Sequence, residues 1–131
     1  MPTDADWARL THAAREASAA AYCPYSHFAV GAAVLAGDGR VFAGCNVENA
    51  SFGLTICAER NAIAQAVAAG AREIVAVCVF TPTKQPTPPC GACRQVIVEF
   101  GSAEVLAVCS ADVTARWSAA ELLPGAFGLA S

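Results

Sequence analysis

A three-layer α/β/α sandwich on a mixed five-stranded sheet is the fold class this sequence predicts. Three observations point to it. Segments with apolar residues at helical spacing alternate with short β-branched runs, the pattern of strands crossed over by helices. No linker, repeat or low-complexity stretch interrupts the 131 residues, so a single domain over 1–131 is expected. Only Ser110, Ala111 and Asp112 separate the last two strand candidates. That is too short for a parallel crossover, so the last two strands should be antiparallel.

Asp6 to Ala21 reads as a helix with Trp7, Leu10, Ala14, Ala17 and Ala21 on one stripe and Asp4 or Asp6 as its cap. Pro24 places Tyr22 to His27 in a loop. Phe28 to Leu35 and Arg40 to Val47 read as two strands joined at the turn signal Gly37-Asp38-Gly39. Asn49 to Thr55 is a loop. Cys57 to Ala69 reads as a helix with Ala62, Ile63, Ala66 and Val67 inward, stopped at Gly70. Glu73 to Phe80 is a nearly continuous apolar run suited to a strand covered on both faces. Thr81 to Pro89 carries four prolines and is irregular. Gly91 to Phe100 is a helix ended by Gly101. Glu104 to Val108 and Val113 to Trp117 are strands, and Ser118 caps a short helix through Leu122. The third and fourth strands flank a helix and should run parallel.

Composition narrows the function. Hydrophobic residues make up 56% and charged residues 15% of the chain, which excludes a disordered protein. No apolar run approaches the ~20 residues of a membrane span. The net charge of −3 argues against a nucleic-acid partner, which demands a basic face. The chain has 31 alanines, and Ala62, Ala66 and Ala69 are small enough to let helices approach closely across subunit contacts. Seven cysteines leave one over in any full disulfide set. Met1 to Asp6 is polar and acidic, so no signal peptide is expected, and a reduced, cytoplasmic setting with free thiols follows. Cys78 and Cys109 lie in Val/Ala-rich runs and read as small buried hydrophobes, with Cys23 and Cys45 similar.

The remaining three cysteines carry chemistry. Cys57-Ala58-Glu59 and Pro89-Cys90-Gly91-Ala92-Cys93 each begin a predicted helix, where free N–H groups and the dipole stabilise thiolate. Cys90 and Cys93 are three apart, so one helical turn presents both sulfurs to one ion. Parallel βαβ packing brings the Cys57 helix start alongside, which yields three thiolates around one zinc. Three protein ligands leave a fourth position open for water, the catalytic pattern. Glu59 lies near the ion without being needed to bind it, and is placed to move a proton. The competing arrangement is a closed structural site with Cys45 as fourth ligand.

The segments resemble cytidine deaminases of the small, homotetrameric class. The matching stretches are Pro24-Tyr25-Ser26, Phe28 to Ala33, Gly44 to Ser51, Cys57 to Ile63, Pro89 to Gln95, Leu122-Leu123-Pro124 and Ala126-Phe127-Gly128. A ligand-x-Glu followed by Pro-Cys-x-x-Cys is the zinc-deaminase signature. The resemblance implies one Zn²⁺ per subunit on Cys57, Cys90 and Cys93, with Glu59 as proton shuttle. The implied reaction is hydrolytic deamination of cytidine and 2′-deoxycytidine in pyrimidine salvage.

It further implies that Asn46 and Glu48 bond the sugar 3′-hydroxyl, that Phe28 packs against the base, and that the Ala58 backbone holds the base edge. Phe127 would reach into a neighbour's pocket, so that pockets are completed across a homotetramer. Three thiolates and Zn²⁺ sum to −1, a charge that is costly in a dry pocket. Arg60 is assigned to offset it by donating to a thiolate. Arg94 is a weaker candidate for that role. Phe52 departs from the pattern, since tyrosine is usual there, and the hydroxyl contact between subunits would be missing. His12 and His27 are assigned no role.

Overall fold

The computed structural model describes residues 1–129. Five strands form one sheet in the order β2-β1-β3-β4-β5: β1 is Gly31–Ala36, β2 Val41–Cys45, β3 Ile74–Phe80, β4 Glu104–Val108 and β5 Thr114–Ser118. The β1–β2 and β4–β5 pairs are antiparallel hairpins, β1–β3 is antiparallel, and β3–β4 is parallel. The sheet is therefore mixed, with its last two strands antiparallel as expected. Four helices flank it: α1 (Asp4–Ser18), α2 (Ala58–Ala68), α3 (Gly91–Glu99) and α4 (Ala119–Leu122).

Alternation along the strands divides the core into two layers. Trp7, Leu10 and Ala14 of α1 pack on Ala33, Leu35, Ala76, Cys78, Leu106 and Val108. The opposite faces of the same strands, Ala32, Val34, Val77 and Val105, meet Ala58, Ala62, Ile63 and Ala66 of α2 and Ile97 of α3. Strands covered on both sides are why Gly31–Ala36 is buried at every position.

Several boundaries differ from the sequence reading. Thr3, not Asp4 or Asp6, caps α1, and Asp6 completes a capping box by accepting from the Thr3 N–H. Helix α1 stops at Ser18 because the chain is claimed elsewhere: the Tyr22 N–H bonds to the Asn46 carbonyl 3.0 Å away. Ala21 therefore lies beyond the helix, and Ala17, in its last turn, is only half-buried. Residues 28–30 lie outside β1, and the Asn46 side chain takes the Val30 N–H and the Phe28 carbonyl. A short 3₁₀ turn, Phe52–Leu54, interrupts the 49–55 loop.

The alanines of α2 also act differently from expectation. Ala62 and Ala66 are fully buried against this chain's own sheet, while Ala69 is exposed and caps the helix end. Gly44 makes that approach possible. A Cβ there would stand 2.5 Å from the Ala62 nitrogen and 2.9 Å from the Ala58 carbonyl oxygen, both backbone atoms that have little room to yield. Gly44→Ala is expected to cost about 2–3 kcal/mol by pushing α2 off the sheet. A lowered midpoint in urea unfolding, with m unchanged, checks this.

Candidate active site

The two helix starts meet as the motif spacing implies. Cys57 is the N-cap of α2 and Cys90 the N-cap of α3. Both take extended backbone conformations, and neither sulfur is spent on capping the helix. Their carbonyls accept the first helical bonds, from the Asn61 and Arg94 N–H groups. Cys93 follows one turn later and is fully buried. The three sulfurs lie within 4.8 Å of one another, with Cys57–Cys90 at 3.7 Å and Cys90–Cys93 at 3.5 Å. Tetrahedral Zn–S bonds of ~2.3 Å require sulfurs about 3.8 Å apart, so the cluster fits zinc. Among the described residues no other group of three such ligands comes together. Cys45 lines a separate groove with Asn61 and Gln65, which removes the closed four-cysteine arrangement.

The electrostatics are those of crowded anions. Cys57 is lowered to about 5, first by the bond from the Cys93 thiol and then by Arg60 and Cys90. Cys93 is raised by that same bond to Cys57 and by burial. The crowded thiols are therefore not all ionised together, and a bound cation would favour the fully ionised set. Arg60 donates through Nη2 to the Cys57 sulfur at 3.6 Å and to the Thr55 carbonyl at 3.4 Å. Its expected place beside a thiolate is therefore occupied. Arg94 is elsewhere: it donates to the Pro89 and Leu122 carbonyls at 2.7 and 2.9 Å, fastening α4 to the start of α3.

A half-open cleft of about 210 Å³ leads to the cluster. Phe28, Asn46, Ala58 and Glu59 line it together with Cys57 and Cys90. Glu59 is 5% exposed, and burial lifts its carboxyl to about 7, with the Cys57 thiolate adding to the rise. Ala58 is fully buried, and as the first residue of α2 it carries an N–H with no partner inside the helix. Asn46 is 9% exposed; its Oδ1 accepts from the Val30 N–H at 2.9 Å and its Nδ2 donates to the Phe28 carbonyl at 2.8 Å.

Glu48 does not share that cleft. It lines an adjoining pocket of about 380 Å³ with Tyr25, Ser26 and Phe52, and Thr55 forms a wall of both. Phe52 is 75% exposed and meets Tyr25 edge-on at 6.0 Å. Phe127 is 70% exposed and lines neither pocket of its own chain, and its carbonyl accepts from Gln95. Cys78 and Cys109 are buried as expected, but Cys23 and Cys45 are only half-buried.

Thr81, Thr87 and Pro88 also line the cleft, and the motifs did not single them out. Their loop is fixed by long-range contacts: Thr81 N–H to the Val108 carbonyl, Ser110 to the Thr83 carbonyl, and the Cys109 thiol to the Lys84 carbonyl. The one signal in the sequence was the proline density, which rules out regular structure and says nothing of direction.

A three-thiolate zinc site, open on the side of a cleft that holds a buried carboxylate, defines a zinc-dependent hydrolytic enzyme on an α/β/α sandwich. The profile of the cytidine and deoxycytidylate deaminase zinc-binding region matches residues 5–109. The cytidine deaminase of Halalkalibacterium halodurans is 50% identical over 121 residues, 90% of this chain and 91% of that protein. That of Mycobacterium tuberculosis strain H37Rv is 46% identical over 129 residues, 98% of this chain and 94% of its own. The crystal structure of the cytidine deaminase from Burkholderia pseudomallei superposes with a TM-score of 0.88 at 49% identity, covering 92% of this chain and 98% of that one. The chain belongs to the cytidine and deoxycytidylate deaminase family.

The raised Glu59 has a measurable consequence in metal-free protein. The folded state keeps a proton that the unfolded chain releases near 4.5. Stability from the neutral acid is therefore complete below that pH and is lost as pH rises through about 7. Metal-free Glu59→Gln should outlast metal-free wild type at pH 8, by up to roughly 3 kcal/mol. The gap should nearly close at pH 5. Melting curves of both proteins at the two pH values check it.

Proposed function

We propose that this chain is a zinc-dependent cytidine deaminase that converts cytidine and 2′-deoxycytidine to uridine and 2′-deoxyuridine with release of ammonia. The observation that carries the reading is the buried Glu59 carboxyl beside a three-thiol cluster at the end of a nucleobase-sized cleft. Water replaces the amino group at C4: a C–O bond forms, the C–N bond breaks, and nitrogen leaves as ammonia. When bound, zinc supplies the Lewis acidity that makes water nucleophilic near neutral pH.

Glu59 takes the proton from that water, hands it to ring N3, and then protonates the departing amine. Burial raises its pKa toward neutrality, which suits transfer in both directions. Cys57, Cys90 and Cys93 hold the ion. Arg60 withdraws charge from the Cys57 sulfur, which keeps the metal a strong acid. Phe28 packs on the base, and the Ala58 N–H bonds its edge. Asn46 retains one Nδ2 hydrogen and Glu48 retains lone pairs for the sugar 3′-hydroxyl after their local bonds are counted. The sugar lies toward the adjoining pocket, reached across Thr55.

The net charge of −3 suits a neutral nucleoside rather than a polynucleotide. We assign the enzyme to pyrimidine salvage in the cytoplasm, acting as one catalytic domain and assembling as a homotetramer. In that assembly the exposed Phe127 completes a neighbour's pocket. Among the described residues no helix is long and apolar enough to cross a membrane.

The decisive experiment follows the ultraviolet change as cytidine becomes uridine, with zinc quantified on the same sample. One zinc per chain is expected, and Glu59→Gln should lower kcat at least a thousandfold while retaining the metal. Unchanged turnover in that variant would remove the assigned mechanism. Cys90→Ser should lose both zinc and activity, and light scattering should report four chains per particle.

A further inference from the structure

The Pro24-Tyr25-Ser26 stretch takes no part in the mechanism above, yet it is tied closely to residues that do. The Glu48 carboxylate is held on three sides by it. Oε1 accepts from the Tyr25 and Ser26 N–H groups at 3.0 and 3.2 Å, and Oε2 accepts from the Ser26 hydroxyl. The same hydroxyl oxygen accepts from the Phe28 N–H at 3.1 Å. Asn46 holds the other side of Phe28 through its carbonyl. The segment between is kept in a costly shape: His27 has φ +57, where a side chain other than glycine is disfavoured by about 1 kcal/mol. Its N–H reaches back to the Cys23 carbonyl at 2.9 Å. Two further bonds, Tyr22 N–H to the Asn46 carbonyl and Glu48 N–H to the Tyr22 carbonyl, sew this loop to the 46–48 segment.

We propose that Ser26 is a positioning residue: its hydroxyl aims the Glu48 carboxylate at the sugar and locks that carboxylate in register with the Phe28 ring. This rests on the sugar- and base-contact roles assigned to Glu48 and Phe28 above. The chemistry singles out serine. A hydroxyl is the smallest side chain that donates to a carboxylate and accepts from an amide at once. Alanine keeps the backbone bonds to Oε1 and leaves Oε2 free to turn. The Ser26 bond is also the first cause of the lowered Glu48 pKa, ahead of its backbone bonds and the neighbouring His27.

Sugar and base recognition then form one unit. A nucleoside whose 3′-hydroxyl meets Glu48 finds the aromatic wall already in place, which lowers the ordering cost of binding.

The test compares wild type, Ser26→Ala and Ser26→Thr on cytidine and on 3′-deoxycytidine, with zinc content and melting temperature measured for each. Ser26→Ala should raise KM for cytidine about tenfold, the value of one charge-assisted hydrogen bond, with kcat within about threefold. On 3′-deoxycytidine, which offers Glu48 no hydroxyl, the same variant should match wild type within about twofold. Ser26→Thr should restore KM. In the double variant with Glu48→Ala, the Ser26 change should add nothing further.

An equal loss on both substrates, or an unchanged KM, overturns the proposal. An activity-free readout separates this from the function itself. Carboxyl-carbon NMR should find the Glu48 pKa higher in Ser26→Ala than in wild type and restored in Ser26→Thr; equal values would sink the positioning role even in a protein that deaminates cytidine. A wild type that turns over neither nucleoside would sink the functional reading while the NMR result stands.

Discussion

Three thiols within 4.8 Å and a carboxyl group 5% exposed cannot all ionise together in so little space without a cation. Much of the surrounding structure answers that crowding. Both N-cap positions are given to cysteines, so two sets of helix N–H groups face the sulfurs. Arg60, three residues after the N-cap Cys57, adds a full positive charge beside that sulfur. The raised Cys93 thiol marks what remains uncompensated, and a bound divalent ion would favour its ionised form.

The sheet exists, from the site's standpoint, to hold two helix starts side by side. Strands β3 and β4 are parallel neighbours, and α2 and α3 both pack on the face opposite α1. That face is lined with small residues. Gly44 under Ala62 allows α2 to sit close to β2, and the depth of α2 sets the depth of Glu59. Packing and catalysis are joined here by one backbone approach, so a methyl group at position 44 would be felt at the carboxyl.

Two adjoining pockets surround the cysteine cluster. The inner cleft holds Phe28, Asn46 and Ala58, and the outer one holds Tyr25, Ser26, Glu48 and Phe52. Asn46 and Glu48 bridge the pockets by bonding the two sides of the 25–30 segment. Both side chains thereby support the loop, Asn46 from the cleft and Glu48 from the adjoining pocket. Phe52 keeps an aromatic surface against Tyr25 while lacking a hydroxyl, and Phe127 stands clear of its own chain's cleft.

Local chemistry was readable without coordinates. Helical spacing, the Gly37-Asp38-Gly39 turn and the short 110–112 connection depend on neighbours a few residues apart, and with the β-branched runs they located the five strands and four α-helices to within a few residues. The gathering of Cys57, Cys90 and Cys93 beside Glu59 was legible for the same reason, since each motif fits within one helical turn. The end of α1 was not, because an amide 28 residues away in sequence from Ser18 supplies the Asn46 carbonyl that draws Tyr22 off the helix. Nor could spacing reveal that Glu48 is spent on Ser26, that Arg94 fastens α4, or that Ala62 and Ala66 serve this chain's own sheet. Those outcomes hinge on which distant backbone groups are left without partners after the sheet forms, and only the folded chain decides that.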